Sequence, residues 1–526
     1  MTHAEPERVD WTILIVIIIG TFMAVLNTSI VNVALPKIMA VFNATADDSQ
    51  WILSSYMMAL GVIMPITGYL GDTYGYKRMY SIALGIFVFG SALCGLSWSI
   101  NSLIAARVLQ AIGGGIMQPL GMAFVYRTTP KSKLGFVLGI YGIAAMAAPA
   151  IGPTLGGYIV EYINWRLIFY INVPIGIVNL FLASILLIET QLIKGEHFDY
   201  WGLLTSGTGL ACLLMALSQG NKYGWTSAYI MILLLVAAVT LTAFVYIELK
   251  HPEPLLELRL FNNFIFSAST VVGAVLNIGM FSGMFLMPLL LQNVLGISAM
   301  KSGLILLPAA LTTAFVMPIS GKLYDKYGVR GIGMVGLFVL AYTTLLMSDF
   351  NDLTSFNSMI GILSVRGIGL GLCMIPITVV GMATVPLNLV GKGSALGNVV
   401  RQVAGSLGIA MFTAIMQHRQ IFHFTNLAQT VNFNSNEGLL LSSVMKDIAT
   451  GLGMSTGSIQ VLTISAIMKR LGTLSMINAI SDCYYLAAAI CLVACLLTYF
   501  LKQPKAKPVK KEVVVEIDTK AALMEG

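Results

Sequence analysis

Charged side chains are scarce in this sequence. Asp, Glu, Lys and Arg make up 10% of its 526 residues, against about 25% in a typical soluble domain. Hydrophobic residues reach 57%, and the mean hydropathy is +0.85. A chain of 56.5 kDa with so few charges needs lipid around most of its surface. The composition therefore excludes a soluble enzyme with one anchor and predicts a polytopic membrane protein.

Cysteine and catalytic motifs are also sparse. The six cysteines show no metal-ligand spacing, and all fall in hydrophobic segments where disulfides are not expected. The sequence contains no HExxH, GxSxG or P-loop pattern. We therefore expect no metal, no cofactor, no enzymatic activity and no direct use of ATP. The cysteines are Cys94, Cys212, Cys373, Cys483, Cys491 and Cys495.

Long hydrophobic runs dominate what is present, and each is close to the roughly 20 residues that a helix needs to cross a bilayer. They predict an all-α protein of about fourteen membrane spans. The first run is too long for the hydrophobic region of a signal peptide, so we expect it to be retained. The predicted spans are 12–33, 51–71, 79–98, 103–126, 135–160, 166–188, 200–219, 227–247, 264–291, 301–321, 331–348, 356–383, 396–416 and 478–501.

The distribution of positive charge predicts the orientation. With the N-terminus inside, most of the 30 Lys and Arg residues fall in inside loops or in the tail, as the positive-inside rule requires. Both termini are then cytoplasmic. Several of the lysines that contribute to the net charge of +7 lie in residues 502–526, interleaved with acids. We interpret this segment as a solvated tail that can touch anionic lipid, not as a nucleic-acid-binding surface.

One outside segment, residues 417–477, is predicted to be a long loop. It is expected to form either a folded cap or a docking surface for an envelope partner, and the cap is favoured. The predicted organisation is a cytoplasmic N-terminus (1–11), an N-terminal six-helix bundle (12–190), two inserted helices (191–250), a C-terminal six-helix bundle containing the loop (251–501), and a cytoplasmic tail (502–526).

A short motif occurs twice. GYLGDTYGYKR (68–78) and GKLYDKYGVR (321–330) each follow the second span of a six-span set, and their acids, Asp72 and Asp325, occupy matching positions. Two related halves are typical of secondary transporters. Such a cluster can lock one arrangement of the halves on the cytoplasmic face, although a single copy would be explained as a hydrophilic turn. The gating candidates are Gly68, Asp72, Gly75, Lys77, Arg78, Asp325 and Arg330.

Several spans carry further motifs. The first contains LNTSIVNVALP (26–36), the sixth begins near NWRLIFYINVPIG (164–176), and NVVRQVAGSLGIA (398–410) lies in the second half. The fourth span contains LIAARVLQAIGGG, with Arg107 and Gln110. The fifth contains APAIGPTLGG, whose small or helix-bending residues are Gly152, Pro153, Gly156 and Gly157.

Together these motifs resemble the major facilitator superfamily, specifically its fourteen-span drug:proton antiporters of the EmrB/QacA type. The resemblance implies two six-helix bundles with two inserted helices in a bacterial inner membrane. It implies alternating-access efflux of amphipathic drugs or toxic compounds in exchange for protons. In hosts with two membranes it also implies a periplasmic adaptor and an outer-membrane channel, with 417–477 as the natural contact region.

The resemblance also implies roles for individual residues. Arg107 would act in proton transfer, and the alternative is a structural Arg tied to backbone carbonyls and Gln110. An Arg in the bilayer interior is costly, which favours function. Arg366 and Arg401 are weaker candidates of the same kind. The glycines of the fifth span would limit leakage during export, and the alternative is simple close helix packing.

The sequence departs from the family at Asn27, where Asp is common. No acid lies at the middle of a predicted span, so the proton candidates are nearer the rims: Asp72, Glu161 and Asp482. Asn27, Thr28 and Asn32 either face a substrate cavity or bind the first span to a neighbouring helix.

Three Arg without an interior acid would repel a cation, so neutral or anionic amphipathic substrates are favoured. The alternative is a dedicated exporter or facilitator of one endogenous metabolite, against which the export-type motif counts.

Overall fold

A computed structural model describes residues 9–189, 198–430, 443–444 and 456–501. Every regular element in these ranges is helical, and fourteen helices are long and apolar enough to cross a membrane. In chain order, α1 to α14 are Trp11–Phe42, Asp48–Tyr74, Tyr76–Leu96, Ile100–Thr128, Lys131–Tyr162, Leu167–Leu186, Tyr200–Tyr223, Ala228–Lys250, Phe264–Val294, Met300–Tyr327, Val329–Asp349, Phe356–Met382, Leu387–Gln429 and Ile464–Thr498.

All fourteen predicted spans are confirmed as helices. We call α1–α6 the N-half, α7–α8 the inserted hairpin and α9–α14 the C-half. The end of the helix assembly that carries Asp72 and Asp325 is the motif face, and the other end is the opposite face.

Polar side chains determine where many of the helices begin. Asp10 caps α1 by accepting hydrogen bonds from the backbone N–H groups of Thr12 and Ile13 at 3.0 and 3.4 Å. The hydroxyl of Thr12 and these N–H groups lower the pKa of Asp10. Ser227 caps α8 in a similar way through the N–H of Ile230. Such caps satisfy backbone donors that have no partner within the helix.

Glycines form the turns of the repeated motif. Gly75 separates α2 from α3 with φ of 93°, and Gly328 separates α10 from α11 with φ of 81°. Only glycine adopts such angles without strain. Each glycine follows its motif acid, Asp72 or Asp325, by three residues. The two copies of the motif therefore share one backbone geometry, as their sequence similarity predicts.

The two halves meet along α5 and α10. A Cβ on Gly321 would collide with the carbonyl oxygen of Gly135, and a Cβ on Gly139 would lie 2.6 Å from the carbonyl of Met317. Nearer the opposite face, a Cβ on Gly157 would lie 3.3 Å from that of Met300. Small residues thus let these helices touch over their whole length, which is how membrane helices gain packing energy without a hydrophobic effect.

The inserted hairpin lies beside the second contact between the halves, formed by α2 and α13. Ser218 of α7 and Ser54 of α2 share a hydrogen bond of 3.0 Å. Asn221 of α7 donates to the carbonyl of Ala410 in α13 at 3.1 Å. The hairpin therefore contacts both halves, while many side chains of α8 remain exposed.

The prediction of a long loop over 417–477 is wrong for most of the residues that are described. α13 continues as a helix to Gln429, and a helix extends over Thr456–Thr498. Arg470 bonds to Asp352 in the α11–α12 loop at 2.5 Å and lowers the pKa of that carboxyl. Hydropathy detects the apolar part of a helix and not the polar turns that continue it. The spans predicted from hydropathy are therefore shorter than the helices. Residues 431–442 and 445–455, including most of EGLLLSSVMKDIATGLG, lie outside the described ranges.

Gly321→Ala is expected to weaken the contact between α5 and α10 at the motif face. The new methyl group collides with the backbone of Gly135, and overpacking of this kind costs about 1–3 kcal/mol. Spin labels at Ser132 and Lys326, in a background without native cysteines, should report a larger separated population. Gly331→Ala is the matched control, because nothing lies within 4 Å of its Cβ position. Equal distance distributions in the two variants would contradict a backbone contact at Gly321.

Candidate functional site

Asp325 of the C-half caps a helix of the N-half. Its carboxylate accepts hydrogen bonds from the N–H groups of Gly135 and Phe136, at 2.9 and 3.1 Å, in the first turn of α5. A carboxylate at a helix N-terminus is stabilised by these orphan donors and by the helix dipole. The motif acid of one half thus directly closes the motif face against the other half.

Asp72 occupies the corresponding position on the other side of the interface. It is fully buried, pairs with Arg127 of α4 at 2.7 Å and accepts from the Tyr76 hydroxyl at 3.1 Å. Its second carboxylate oxygen lies 3.5 Å from the position of a Cβ on Gly391, at the start of α13. A Cβ on Gly68 would likewise lie 2.9 Å from the backbone nitrogen of Lys392. Both motif acids therefore face the half to which they do not belong.

The basic residues of the motif lie beside helix ends. The backbone N–H groups of Lys77 and Arg78 each donate to Glu189, at 3.2 Å, just after Gly75. Arg330 donates to the carbonyl of Leu501, at 3.0 Å, beyond the end of α14. Carboxylates favour helix N-termini and cations favour C-termini, so helix ends determine these contacts.

A buried polar cluster fills the middle of the N-half. The guanidinium of Arg107 stacks over the ring of Tyr56 at 4.0 Å. Asn27 lies beside the Tyr56 hydroxyl, and both side chains are completely buried. The amide atoms of Asn27 and the hydroxyl of Tyr56 form no hydrogen bond to another described residue. A carboxylate at position 27 would lie close to the Arg107–Tyr56 pair and would provide a counter-charge for Arg107. The amide of Asn27 provides none.

Arg107 makes the contacts that its structural interpretation predicts. It donates to Gln110 at 2.8 Å and to the carbonyl of Ile52 at 3.4 Å. Gln110 in turn donates to Ser91 at 2.6 Å. Arg107 is 1% exposed, and the partners of its guanidinium all belong to the N-half, so it is held inside that half. A role in proton transfer stays a prediction.

The three polar residues of α1 do not share one face. Asn27 is buried, Thr28 is half-buried and donates to the carbonyl of Val25 at 2.7 Å, and Asn32 is exposed. Five residues along a helix correspond to a rotation of about 140°, so Asn27 and Asn32 point in different directions. Thr28 and Asn32 share a side of α1 and Asn27 faces inward, so a single face that includes both Asn27 and Asn32 is not formed. Whether Thr28 and Asn32 face a substrate cavity stays a prediction.

The glycines of the fifth span contact two different helices. Cβ atoms on Gly152 and Gly156 would collide with Ser29 and Ile30 of α1, whereas Gly157 faces Met300 across the interface. A Cβ on Gly303 of α10 would lie 3.2 Å from Pro153. The close packing proposed for this motif is therefore present, and control of leakage stays a prediction.

Arg366 of α12 is buried within the C-half. Its Nε donates to the Thr344 hydroxyl at 3.4 Å, and its guanidinium lies against Gly283 of α9. Like Arg107 it belongs to the fourth helix of its half. Its location inside one half separates it from the space between the halves.

Arg401 of α13 is the embedded arginine that borders that space. It donates to Asn398 at 3.1 Å and to Met122 of the N-half at 3.7 Å. A cavity of 30 Å³ lies beside it, large enough for one or two waters. Its walls combine apolar groups with hydroxyls: Met122, Phe266, Ser269, Thr270, Gly273, Ile377, Thr378, Met382, Gly393, Ser394, Gly397 and Arg401.

The two rim acids of the opposite face have different environments. Glu161 is exposed near the end of α5. Asp482 of α14 accepts from Arg419 at 2.6 Å, and the same carboxylate oxygen lies 2.7 Å from Nε2 of His423. The structure thus places the Asp482 carboxylate between a guanidinium and an imidazole.

Five residues that matter to these clusters were not selected from the sequence: Tyr56, Arg127, Glu189, Lys392 and His423. Arg127 and Glu189 stand at helix ends beside the motif face, a position that could have marked them. Tyr56 gave no such signal, because nothing in its sequence neighbourhood indicates the stacking on Arg107.

The fold agrees with the comparison to known families. The model of the Major Facilitator Superfamily matches residues 17–197 and 199–409. The chain belongs to the major facilitator superfamily. As a member, it is a transporter and not an enzyme.

Relatives and solved structures extend this assignment. The chain is 33% identical over 510 residues to the uncharacterized MFS-type transporter YhcA of Bacillus subtilis, covering 96% of this chain and 95% of the relative. It is 33% identical over 421 residues to the multidrug transporter protein MdtP of the same organism, covering 79% and 77%. The xylose symporter XylE shares the fold with a TM-score of 0.59 at 14% identity, covering 94% and 96%.

Asn27→Asp should become energetically coupled to Arg107 in this transporter. A buried carboxylate near the guanidinium is tolerated while the cation is present, and it becomes an uncompensated charge in the double variant with Arg107→Gln. A double-mutant cycle on unfolding free energy should give a coupling of about 0.5–3 kcal/mol. Asn32→Asp, at the exposed position, is the control and should show no coupling. Additive effects at position 27 would place Asn27 outside the field of Arg107.

Proposed function

We propose that this transporter exports neutral or anionic amphipathic compounds in exchange for protons, by alternating access between the two faces. The observation that carries the proposal is the closure of the motif face by Asp325. This carboxylate of the C-half accepts from two backbone N–H groups in the first turn of α5, and Asp72 of the N-half lies close to Gly391 at the start of α13. Separating the halves at these places would open a path from the motif face to the space beside Arg401.

The substrate class follows from the charge beside the cavity. Arg107 and Arg366 are enclosed in their own halves, so Arg401 supplies the positive charge that a bound molecule would meet. Hydroxyls of Ser269, Thr270 and Thr378 line the same cavity, together with apolar side chains. In the closed structure this cavity has room only for water. Once widened by separation of the halves, its walls would match a molecule with an apolar body and an acceptor or anionic group, whereas a quaternary cation would be repelled.

Proton coupling is assigned to the rims, because the described membrane helices carry no acid beside Arg107. On the opposite face Asp482, which pairs with Arg419 and His423 and is partly exposed, is the proposed proton-exchange group. On the motif face Asp72 is neutralised by Arg127 while the halves are closed. Separation of the halves would change its environment and its affinity for a proton. Glu161, exposed on α5, is the weaker candidate.

The motif face is assigned to the cytoplasm on the basis of its basic loops, and both termini would then be cytoplasmic. The proposed location is the bacterial inner membrane.

Export suits the relationship to MdtP, which is named a multidrug transporter. The helical extensions of α13 and α14 at the opposite face offer a surface to an adaptor, should the host have an outer membrane. A dedicated exporter of one metabolite is the alternative function.

Transport in proteoliposomes with an imposed pH gradient tests the function. Uptake of neutral and anionic amphipathic probes into vesicles acidified inside should exceed that of quaternary cations. It should fall when the gradient is dissipated. Arg401→Gln should reduce transport of the anionic probe about tenfold, since one lost charge-assisted hydrogen bond corresponds to about 1.5–3 kcal/mol.

Arg401→Lys is the matched control, because it keeps the charge and should retain most anionic transport. Transport that ignores the proton gradient would remove the antiport proposal. Export restricted to quaternary cations would overturn the proposed substrate class, and metabolite-specific transport would favour the alternative function.

Asp482→Asn should uncouple transport from external pH. The amide cannot take up a proton, so the dependence of exchange on the pH of the opposite face should flatten. His423→Gln should shift this dependence without abolishing it, because Asp482 and Arg419 remain. Glu161→Gln serves as the control from the same face. The proposal for Asp482 fails when its variant retains the pH profile of the unmodified protein.

A further inference from the structure

Two buried carboxyl groups lie at the motif-face end of the inserted hairpin. Asp199 precedes α7 and caps it by accepting from the N–H of Gly202 at 2.7 Å. Glu248 lies at the end of α8, and its Oε2 accepts from the N–H of Leu256 at 3.3 Å. Asp199 and Glu248 are 3% and 1% exposed. Carboxyl groups this deeply buried need compensation.

The second oxygen of each carboxyl group faces the same small space. Asp199 Oδ2 and Glu248 Oε1 both lie within 3.0 Å of the position that a Cβ on Gly202 would occupy, so they are no more than about 6 Å apart. Neither oxygen has a hydrogen-bond partner among the described residues. Two unpartnered anionic oxygens at this separation repel each other strongly in a low-dielectric site.

Other charged groups face the pair. Glu257, 8% exposed, adds a third acid from the linker after α8, and Arg259 lies 3.9 Å from it. Lys392 of α13 is 4% exposed and acts electrostatically on Glu248. Among the described residues, three acids face Lys392 and the partly exposed Arg259, which leaves one negative charge in excess. A proton shared between the two close carboxyl oxygens would compensate this charge.

The pair is connected to the closed motif face through the linker that bonds to Glu248. Leu255 packs in one cluster with Ile66 and Tyr69 of α2. Leu260 lies 3.4 Å from the Cβ position of Gly393, next to Lys392 in α13. The linker therefore bridges the two helices that meet at the motif face.

We propose that Asp199 and Glu248 share a proton while the motif face is closed, and that the pair releases it when the face opens. This site would make closure sensitive to the pH of the compartment at the motif face. The inference concerns the arrangement of the halves and holds whatever the substrate and the coupling ion are.

The sign of the pH dependence follows from proton linkage. The closed state buries the pair and holds one proton more than the open state, in which water reaches the carboxylates. Low pH therefore favours closure, and rising pH favours opening by up to tenfold per pH unit over the titration range. A transporter with this site would stop presenting its cavity to an acidified compartment.

Spin labels at Tyr74 and Asn388, in a background without native cysteines, test the proposal by reporting the α2–α13 distance against pH. The unmodified pair should give a closed population that falls as pH rises. Glu248→Gln keeps the bond to Leu256 and cannot ionise, so it should remain closed over the same range. Asp199→Asn should behave in the same way. Glu253→Gln changes an acid of the same linker outside the pair and should leave the titration unchanged.

Infrared spectroscopy of the same proteins gives a second measurement. A protonated-carboxyl C=O band should be present at neutral pH in the unmodified protein and in Glu253→Gln, and it should be lost in Glu248→Gln. The proposal is overturned when Glu248→Gln and Asp199→Asn keep the pH response of the unmodified protein, or when the band survives both substitutions. These readouts use no substrate, so their failure would not affect the proposed export function.

Discussion

The closed motif face depends on the Asp325 carboxylate, which caps a helix across the interface between the two halves. Asp325 satisfies two backbone donors at the start of α5, and this is possible because Gly135 and Gly321 let the backbones touch. A carboxylate and a helix N-terminus attract over a short range, so the contact is strong when the halves meet and absent once they separate. In the described structure this contact holds the motif face closed. The proposed alternating access would require the contact to break.

A second constraint is that the membrane helices must accommodate buried arginine side chains. Arg107 and Arg366 occupy equivalent helices, and each is enclosed by uncharged polar or aromatic groups within its own half. This arrangement stabilises the cations without an acid, at the expense of an unsatisfied amide at Asn27. Arg401, in contrast, reaches across to Met122 and stands beside the cavity. Arg107 and Arg366 thus lie inside their own halves, and Arg401 lies on the surface where the proposed substrate would bind.

Much of the architecture was predictable from the sequence. The fourteen apolar runs predicted the helices, because a helix needs about 20 apolar residues to cross a bilayer. The duplicated motif indicated two related halves. Contacts between distant helices were not predictable, since sequence does not show that Tyr56 stacks on Arg107 or that Glu189 binds the turn at Gly75. Helical rotation separated Asn27 from Asn32. The lengths of α13 and α14 were missed because a helix continues beyond the apolar segment that hydropathy detects.

These long helices have a mechanical consequence. α13 covers Leu387–Gln429, 43 residues, or about 65 Å at 1.5 Å per residue, which is twice the ~30 Å of the hydrocarbon layer. It also carries Lys392 and Arg401, so one continuous helix runs from the motif face past the cavity wall to the opposite face. If it tilts as one body, a tilt of about 10° at one end would move the other by about 10 Å at this rise per residue. A partner bound to the far end of α13 would then change the position of its motif-face end.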